Sequence, residues 1–493
     1  DKVVTTCGFR TIRFDFDSGF YLNNENIKLQ GVCMHQDHAG VGVAIPHALL
    51  EFRLVKLKEL GVNAYRCSHN APPVRLLELC DSLGILVMDE NRNFNVSPEY
   101  MNQLEWLVHR DRNHPSIILW PVFNEEPMQG SEQGYEMVRR MNALVKSLDT
   151  TRPVTAAMNG GLFTKKNVSD AVDVVGFNYQ IAQYDKFRKE HPDKILTSSE
   201  DISSFQIRGE YHTDRSKNIA DDYDSEAAPW GSTQRVGWQA IAERPWLAGS
   251  FIWTGFDYHG EPTPFTWPTN SSVFGLYDLC GFPKNAAFIK QAQWRKDTTI
   301  LHLVPHWNWP EDSLGKEIKV MVSSNADEVE LFLNKKSRGK QKVDRYDMNS
   351  WQVPFAPGAL KVIGYKSGKV VATKVVETSG KPVALKLEPF KNNLNNDGND
   401  ATPVTVKSLD TKGREVPTAN NMIHFSINEK AHIIGLGNGN PNSHEPEKGD
   451  KRSLFNGLAQ AIIQSEEGAK GYIELTARAH GMKPATIRIA LND

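Results

Sequence analysis

Eight short apolar runs alternate with amphipathic helical patterns between residues 30 and 298, and this alternation limits the available folds more than any other feature. The runs occupy residues 31–35, 63–69, 85–90, 117–125, 153–159, 172–179, 194–200 and 247–257. Apolar residues recur at helical spacing in the intervening segments 48–60, 72–84 and 131–148. Apolar strands separated by helices form parallel sheets that helices cover. Eight such units in about 270 residues predict a (β/α)8 barrel, over residues 21–300.

The apolar pattern changes to period two after the barrel, as in "EIKVMVSSNADEVELFLNKK". This alternation is typical of antiparallel strands with one buried face. It predicts an immunoglobulin-like β-sandwich over residues 314–380 and a second C-terminal β-sandwich over 382–493. Residues 1–20 are interpreted as a remnant strand or linker of a preceding β domain. We therefore expect an α/β TIM barrel followed by two all-β sandwiches.

Charge and composition exclude several classes of partner. The chain has 57 basic and 59 acidic residues, which leaves a formal net charge of −2 and no sign of a nucleic-acid or anionic membrane surface. No stretch approaches the roughly 20 apolar residues of a membrane span. Five cysteines are an odd number, which argues against a disulfide framework. The oligomeric state stays open, a homo-oligomer included.

Polar side chains collect at the carboxyl ends of the predicted strands, where TIM barrels hold their active sites. These ends carry His35, His69, Asp89, Glu90, Asn124, Glu125, Asn159, Asn178, Tyr179, Glu200, Trp253 and Asp257. A barrel with a purely structural role does not require so many ionisable side chains at one end. The candidate site is therefore this rim, with Asp89 and Glu90 expected to support it through hydrogen bonds.

Glu125 and Glu200 end the fourth and seventh strands and are the candidate catalytic pair. Two carboxylates about 5–5.5 Å apart serve a retaining glycosidase, whereas about 6.5–9.5 Å serves an inverting one. The general acid and the nucleophile of such a pair need different surroundings, and Glu200 is expected to stay ionised. Asn124 is placed to bond a sugar hydroxyl, and Trp253 offers an apolar face to a sugar ring. The alternative is that both glutamates form buried salt bridges.

The motifs "GVCMHQD", "NAYRCSHNAPP", "LVMDEN", "FNEEP", "GFNY", "TSSE", "FIWTGFDYHGEPTPF" and "FGLYDLCGFPKN" together resemble glycoside hydrolase family 2. The likeness is greatest to β-galactosidase-type members and covers nearly the whole chain. Such members begin with a sugar-binding jelly-roll and an immunoglobulin-like domain, of which we expect residues 1–20 to be a remnant strand. The resemblance implies a retaining exo-β-glycosidase that hydrolyses terminal non-reducing β-D-galactosides by double displacement.

The resemblance also implies a role for each candidate residue. Glu125 matches the acid/base of the family and Glu200 its nucleophile, while Glu126 has no catalytic counterpart. The remaining matches are substrate-binding residues of the rim: His35, Arg66, His69, Asn124, Asn178, Tyr179 and Trp253.

Several alternatives stay open beside this interpretation. The magnesium ligands of some β-galactosidases are not evident in "DENRNFNVS", so no cofactor is expected, although "HQDH" at 35–38 leaves a metal site as a weak alternative. The "N-x-K" pattern that β-glucuronidases use for the uronate is not evident either, and Lys284 is the nearest candidate. β-Glucuronidase and β-mannosidase activity, or a non-catalytic carbohydrate-binding fragment, are therefore the alternatives.

Two further points concern the loops and the compartment. The segment "GLGNGNPNSHEP" at 435–446 predicts a turn-rich loop, with a role in substrate binding as the alternative. The resemblance implies a periplasmic or secreted location, and the cytoplasm stays open.

Overall fold

The computed structural model describes residues 6–492, which separate into two compact units. The first unit holds the described residues up to His35 together with Leu57–Ser204 and Glu226–Gly255. The second holds Gln36–Lys56, Phe205–Ser225 and the described residues from Phe256 onward.

A small antiparallel sheet opens the first unit. Its strands are β1 (Ile12–Asp15), β2 (Gly19–Leu22) and β3 (Glu25–Ile27). Asn23 and Asn24 join the last two strands with φ values of 50° and 66°, a conformation that asparagine tolerates in two-residue hairpins. The sequence interpretation of residues 1–20 as a remnant strand missed this sheet, and residues 1–5 lie outside the described part of the chain.

A closed barrel of eight parallel strands forms the core of the first unit, as predicted. The barrel order is β10-β11-β4-β5-β6-β7-β8-β9. Its strands are β4 (Leu29–Met34), β5 (Ala64–Cys67), β6 (Leu86–Met88), β7 (Ile117–Asn124), β8 (Val154–Met158), β9 (Val174–Asn178), β10 (Ile195–Ile202) and β11 (Leu247–Trp253). These strands are buried almost throughout, which explains why each appears as a continuous apolar run.

Seven α-helices are present among the described residues, and three of them coincide with the predicted helical patterns. They are α1 (His47–Leu60), α2 (Val74–Leu83), α3 (Pro98–Asp111), α4 (Glu132–Leu148), α5 (Tyr184–Glu190), α6 (Gln234–Ala242) and α7 (Asn285–Trp294). Local signals fix the ends of the predicted ones. Gly84 closes α2 in a left-handed conformation, and the Ser131 hydroxyl caps α4 by accepting from Gly134 N.

Two sheets of the second unit pack into a sandwich after the helices. The three-stranded sheet contains β12 (Leu301–Val304), β13 (Glu317–Ser324) and β16 (Asn349–Pro354). The four-stranded sheet contains β14 (Glu328–Leu333), β15 (Lys336–Lys342), β17 (Ala359–Lys366) and β18 (Lys369–Glu377). Both sheets contribute to one buried apolar cluster, among whose members are Val320, Val322, Val353, Val329, Leu331 and Val362.

A second sandwich follows in the same unit. One sheet contains β19 (Ala384–Pro389), β21 (Ala401–Leu409), β23 (Ala431–Gly437) and β25 (Leu458–Ser465). The other contains β20 (Asn393–Asn395), β22 (Met422–Ile427), β24 (Lys451–Ser453), β26 (Tyr472–Arg478) and β27 (Ala485–Asn492). The predicted fold class is thus confirmed, while the exact domain limits stay predictions.

None of the helices that the structure describes between residues 6 and 492 has both the length and the apolar composition needed to cross a bilayer.

Candidate active site

The backbone turns sharply where three of the barrel strands end. Glu125 follows β7 with a φ of 52°, Tyr179 follows β9 with a φ of 61°, and Ser203 follows β10 with a φ of 60°. Residues other than glycine rarely adopt this left-handed region, and such strain gathers at functional sites. The ends of these strands are therefore the place to look for chemistry.

The Asn178 amide links the two predicted catalytic carboxylates. Its Nδ2 lies 2.9 Å from Glu125 Oε1 and 3.3 Å from Glu200 Oε2. Because both oxygens lie close to one nitrogen, they can be no farther apart than the sum of these distances, about 6.2 Å. The same Nδ2 is also 2.9 Å from Asn124 Oδ1. The structure thus brings the glutamates of the fourth and seventh barrel strands together.

Glu200 is 4% exposed and is surrounded by hydrogen-bond donors. Arg66 Nη1 donates to its Oε2 at 2.9 Å, and the Tyr179 hydroxyl donates to its Oε1 at 2.7 Å. Burial raises the pKa of the Glu200 carboxyl, the Arg66 guanidinium lowers it, and Glu125 adds to the rise. Burial and the donors therefore act in opposite directions on Glu200, and the expectation that it stays ionised remains a prediction.

Arg66 holds several of the site residues in one buried network. Its Nε donates to Glu90 Oε2 at 2.7 Å, its Nη2 to Asn124 Oδ1 at 2.7 Å, and its Nη1 to the Ser199 carbonyl at 2.8 Å. The Arg66 and Glu90 side chains are both fully buried. The other Glu90 oxygen, Oε1, lies 2.7 Å from His69 Nδ1. Burial would raise the pKa of Glu90, but Arg66 and His69 hold it below its ordinary value.

Three rings form an aromatic wall beside this network. His69 stacks on Trp253, with centroids 5.4 Å apart and planes at 13°. His35 meets both rings edge-on, at 5.3 Å from Trp253 and 5.9 Å from His69. Such a wall offers an apolar surface to a sugar face and imidazole nitrogens to its hydroxyls. All nine predicted site residues therefore lie in the first unit and contact at least one other member.

Asn159 of the predicted rim and the neighbouring Glu126 are engaged elsewhere in the first unit. Arg92 Nη1 donates to Glu126 Oε1 at 2.7 Å, so the second glutamate of "NEEP" forms a partly exposed ion pair. Gln129 Nε2 donates to Asn159 Oδ1 at 2.5 Å, which ties the loop after β7 to the loop after β8. Among the described residues, neither Glu126 nor Asn159 is hydrogen-bonded to Glu125 or Glu200.

Two more predicted rim carboxylates also act differently from the expectation. Burial raises the pKa of Asp89, and the neighbouring Asp111 adds to the rise, whereas Arg66 and His69 hold the pKa of Glu90 below its ordinary value. Asp257 lies in the second unit and pairs with Lys284, whose Nζ is 2.6 Å from its Oδ2. Lys284, the residue considered for a uronate, is thus committed to a buried ion pair.

Sequence reasoning missed two serines that support the site. Ser199 Oγ donates to Asn178 Oδ1 at 2.7 Å, which orients the bridging amide. Ser203 Oγ lies 2.9 Å from the Tyr179 hydroxyl. For Ser199 the available signal was "TSSE" itself, because hydroxyls in a buried strand need hydrogen-bond partners. Ser203 lies three residues beyond that motif.

The residues do not fit a metal site. Among residues 6–492, no three His, Cys, Asp or Glu side chains are arranged so as to hold a metal ion. In "HQDH", Asp37 bonds His259, while His38 is buried against Gln460 and burial lowers its pKa to about 3. In "DENRNFNVS", both Glu90 oxygens already bond Arg66 and His69. No step of the chemistry is therefore assigned to a metal.

Three family models match successive parts of the chain. One described as glycosyl hydrolases family 2, TIM barrel domain, matches residues 16–295. A domain of unknown function, DUF4982, matches 315–372, and glycoside hydrolase family 2 C-terminal domain 5 matches 385–488.

Curated relatives and solved structures are similar over nearly the whole chain. The β-galactosidase BoGH2A of Bacteroides ovatus is 37% identical over 100% of this chain, and a putative β-glucuronidase of Formosa agariphila is 32% identical over 98%. The chain spans 65% of the length of the first and 50% of the second. A crystal structure of a family 2 member from Bacteroides cellulosilyticus, 30% identical, superposes with a TM-score of 0.88 over 99% of this chain and 65% of its own. A β-glycosidase from Bacteroides vulgatus, also 30% identical, gives 0.89 over 98% and 66%.

Proposed function

The chain belongs to glycoside hydrolase family 2, and from this we propose that it is the catalytic part of a retaining exo-β-glycosidase acting on terminal β-D-galactosides. The observation that carries the proposal is the shared hydrogen-bond donor between Glu125 and Glu200. Glu125 Oε1 and Glu200 Oε2 lie within about 6.2 Å of each other, which supports the spacing of about 5–5.5 Å of a retaining pair more than the spacing of about 6.5–9.5 Å of an inverting one. We assign catalysis to the barrel predicted over residues 21–300, with the two sandwiches as separate domains.

In the first step, Glu200 attacks the anomeric carbon as Glu125 protonates the glycosidic oxygen. The bond between the anomeric carbon and the leaving oxygen breaks, and an ester bond to Glu200 forms. Arg66 and Tyr179 hold the two oxygens of Glu200, so the carboxylate faces the sugar in one orientation. The aglycone leaves with the proton that Glu125 carried.

In the second step, Glu125 is a carboxylate and removes a proton from a water molecule that attacks the anomeric carbon. The ester bond breaks, and the electron pair returns to Glu200. The Tyr179 hydroxyl and the Arg66 guanidinium stabilise the charge that reappears there. The sugar leaves with its original β configuration because two inversions have occurred.

The choice of a galactoside over a glucuronide has separate support. The first relative is named a β-galactosidase, whereas the second is named a putative β-glucuronidase, so the names alone leave both open. A uronate needs a cationic partner, and Lys284 is already paired with Asp257 in a buried site. β-Glucuronide and β-mannoside therefore remain the second choices of substrate.

Azide rescue tests the two catalytic roles separately. In Glu125→Ala, azide attacks the glycosyl-enzyme of an activated aryl galactoside, so we expect β-galactosyl azide. In Glu200→Gly, azide takes the place of the nucleophile, so we expect α-galactosyl azide. Glu126→Ala is the matched control, because Glu126 is paired with Arg92, and azide should not change its products.

If Glu125→Ala gave the α-azide and Glu200→Gly the β-azide, Glu125 would be the nucleophile and Glu200 the acid/base. If the unmodified protein released the sugar with inverted anomeric configuration, the mechanism would be inverting and not retaining. A lack of turnover on aryl β-galactosides, β-glucuronides and β-mannosides would leave the alternative of a non-catalytic carbohydrate-binding fragment.

A further inference from the structure

A cavity of about 270 Å³ lies in the second unit between two loops that catalysis does not explain. One loop follows the last barrel strand and contributes His259 and Asn270. The other is the Asn-rich loop after β23, which contributes residues 438–447 and corresponds to the "GLGNGNPNSHEP" motif. This turn-rich loop is therefore also the wall of a cavity.

The cavity lining combines opposite charges that balance one another. Glu445 and Glu447 bring two carboxylates, and Arg452 brings a guanidinium. His259 brings a second positive charge, because hydrogen bonds to Asp37 and Glu447 raise its pKa to about 10. Such a lining has no excess charge to attract a free cation or anion. It suits a neutral ligand with hydroxyl groups that both donate and accept.

The polar groups of the cavity are held in fixed positions by the backbone around them. Asn270 Nδ2 donates to the Ser443 carbonyl at 3.0 Å, and Asn438 Nδ2 donates to the Ser453 carbonyl at 2.9 Å. Gly40 N donates to Glu447 Oε2 at 2.8 Å. A site whose side chains are already oriented loses less entropy when a ligand binds.

Arg452 is a buried cation in the wall of this cavity. Its side chain is 4% exposed, and its Nη1 donates to the Glu445 carbonyl at 2.7 Å. Its Nε has no hydrogen-bond partner among the described residues, since Glu445 Oε2 lies 3.7 Å away. Its Nη2 donates to Asn438 Oδ1 at 3.2 Å, so the guanidinium and its charge are held in one position in the cavity wall.

An exposed tryptophan stands beside the cavity. Trp267 is 77% exposed, and its ring lies 4.3 Å from the ring of His444, which lines the cavity. His444 Nε2 in turn lies 2.7 Å from the Pro268 carbonyl, which fixes the pair. An aromatic ring held in place next to a neutral polar cavity provides a stacking surface for the apolar face of a sugar.

We propose that this cavity binds one residue of a neutral β-linked oligosaccharide, with Trp267 stacking on the adjoining sugar. Trp267 and the residues that line the cavity are different from the proposed catalytic residues Glu125 and Glu200. The proposal goes beyond hydrolysis and does not depend on it, because a protein without turnover would still bind at this place.

Calorimetric titration of Glu200→Gln tests the proposal without loss of the probe to hydrolysis. The probes are the β-1,4-linked tetrasaccharides of galactose, glucose and mannose at about 10 mM, a range that detects millimolar affinity. We expect one of the three to bind. Asn440 lines the cavity, and Trp267→Ala and Asn440→Ala should each raise the dissociation constant at the cavity roughly two- to tenfold. Trp106→Ala is the matched control, because Trp106 is 55% exposed on α3 and should leave binding unchanged.

Three results would overturn the proposal. No binding of any of the three probes would do so, and so would equal binding in all variants. Saturable binding of calcium chloride that both cavity variants abolish would make the cavity a cation site instead. Turnover of nitrophenyl galactosides by the protein with Glu200 intact is measured separately, so a failure of the catalytic proposal is distinguished from a failure of this one.

Discussion

Removing the Tyr179 hydroxyl should slow the second chemical step more than the first. In Tyr179→Phe, Glu200 Oε1 loses a donor at 2.7 Å inside a buried site. A hydrogen bond to a charged group contributes about 1.5–3 kcal/mol, and each 1.36 kcal/mol is tenfold in rate. The charge on Glu200 reappears as the sugar ester breaks, so kcat on an activated aryl galactoside should fall roughly 10- to 150-fold.

The acidic limb of the pH profile should move in a defined direction. The Tyr179 hydroxyl lowers the pKa of Glu200, so its removal raises that pKa further. Less Glu200 is then ionised at a given pH, and the acidic limb of kcat/KM shifts to higher pH. Stopped-flow kinetics should show a burst of aryl release, because the glycosyl-enzyme accumulates.

Tyr184→Phe is the control for this experiment. Tyr184 is also fully buried in the first unit, but its ring packs on Phe177, and among the described residues its hydroxyl is not hydrogen-bonded to Glu125 or Glu200. Its kinetics should match the unmodified protein. The reasoning is refuted if Tyr179→Phe shows no burst and an acidic limb that stays in place or moves to lower pH.

Three further substitutions test other parts of the structure. Glu90→Gln leaves the buried Arg66 short of one charge partner, so urea denaturation should show a loss of about 3 kcal/mol, and a loss near zero would contradict the network. Glu126→Gln removes only a partly exposed pair with Arg92, so kcat/KM should stay within about twofold, and a large drop would give this glutamate a catalytic role. The raised pKa of His259 contributes stability that is complete below its ordinary value of 6.5 and disappears as pH rises through about 10. The difference in thermal midpoint between the unmodified protein and His259→Gln should therefore shrink across this window, and a constant difference would contradict it.

The barrel was predictable from the sequence because its strands are buried on both faces. Runs such as residues 117–125 have no polar interruption until the strand ends, so both the strand and its tip can be recognised. Helix α3 was missed although Ser97 and Pro98 mark its start, because the preceding polar segment hides its pattern. The small first sheet was missed because its strands have only three or four residues.

The residues of the site could be predicted from the sequence, but the hydrogen bonds between them could not. Strand tips identify Glu125 and Glu200, since parallel strands of a barrel end at one rim. The bond from Arg66 to Glu90 joins neighbouring strands, and the bond from Arg66 to Glu200 crosses the barrel. Such contacts depend on how the barrel closes and on where the side chains point, and neither can be read from residue spacing along the sequence. The rise in the pKa of Glu200 could not be foreseen for the same reason, because it follows from burial.

The central claim is that Glu200 forms a covalent bond to the sugar while Glu125 transfers the proton. Mass spectrometry after incubation with an activated fluorosugar, in which fluorine replaces the hydroxyl next to the anomeric carbon, tests it most directly. Fluorine slows breakdown of the ester, so we predict one fluorogalactosyl group per chain, on the peptide that contains Glu200. A label on Glu125, or a protein that turns over galactosides without ever carrying the label, would contradict the account.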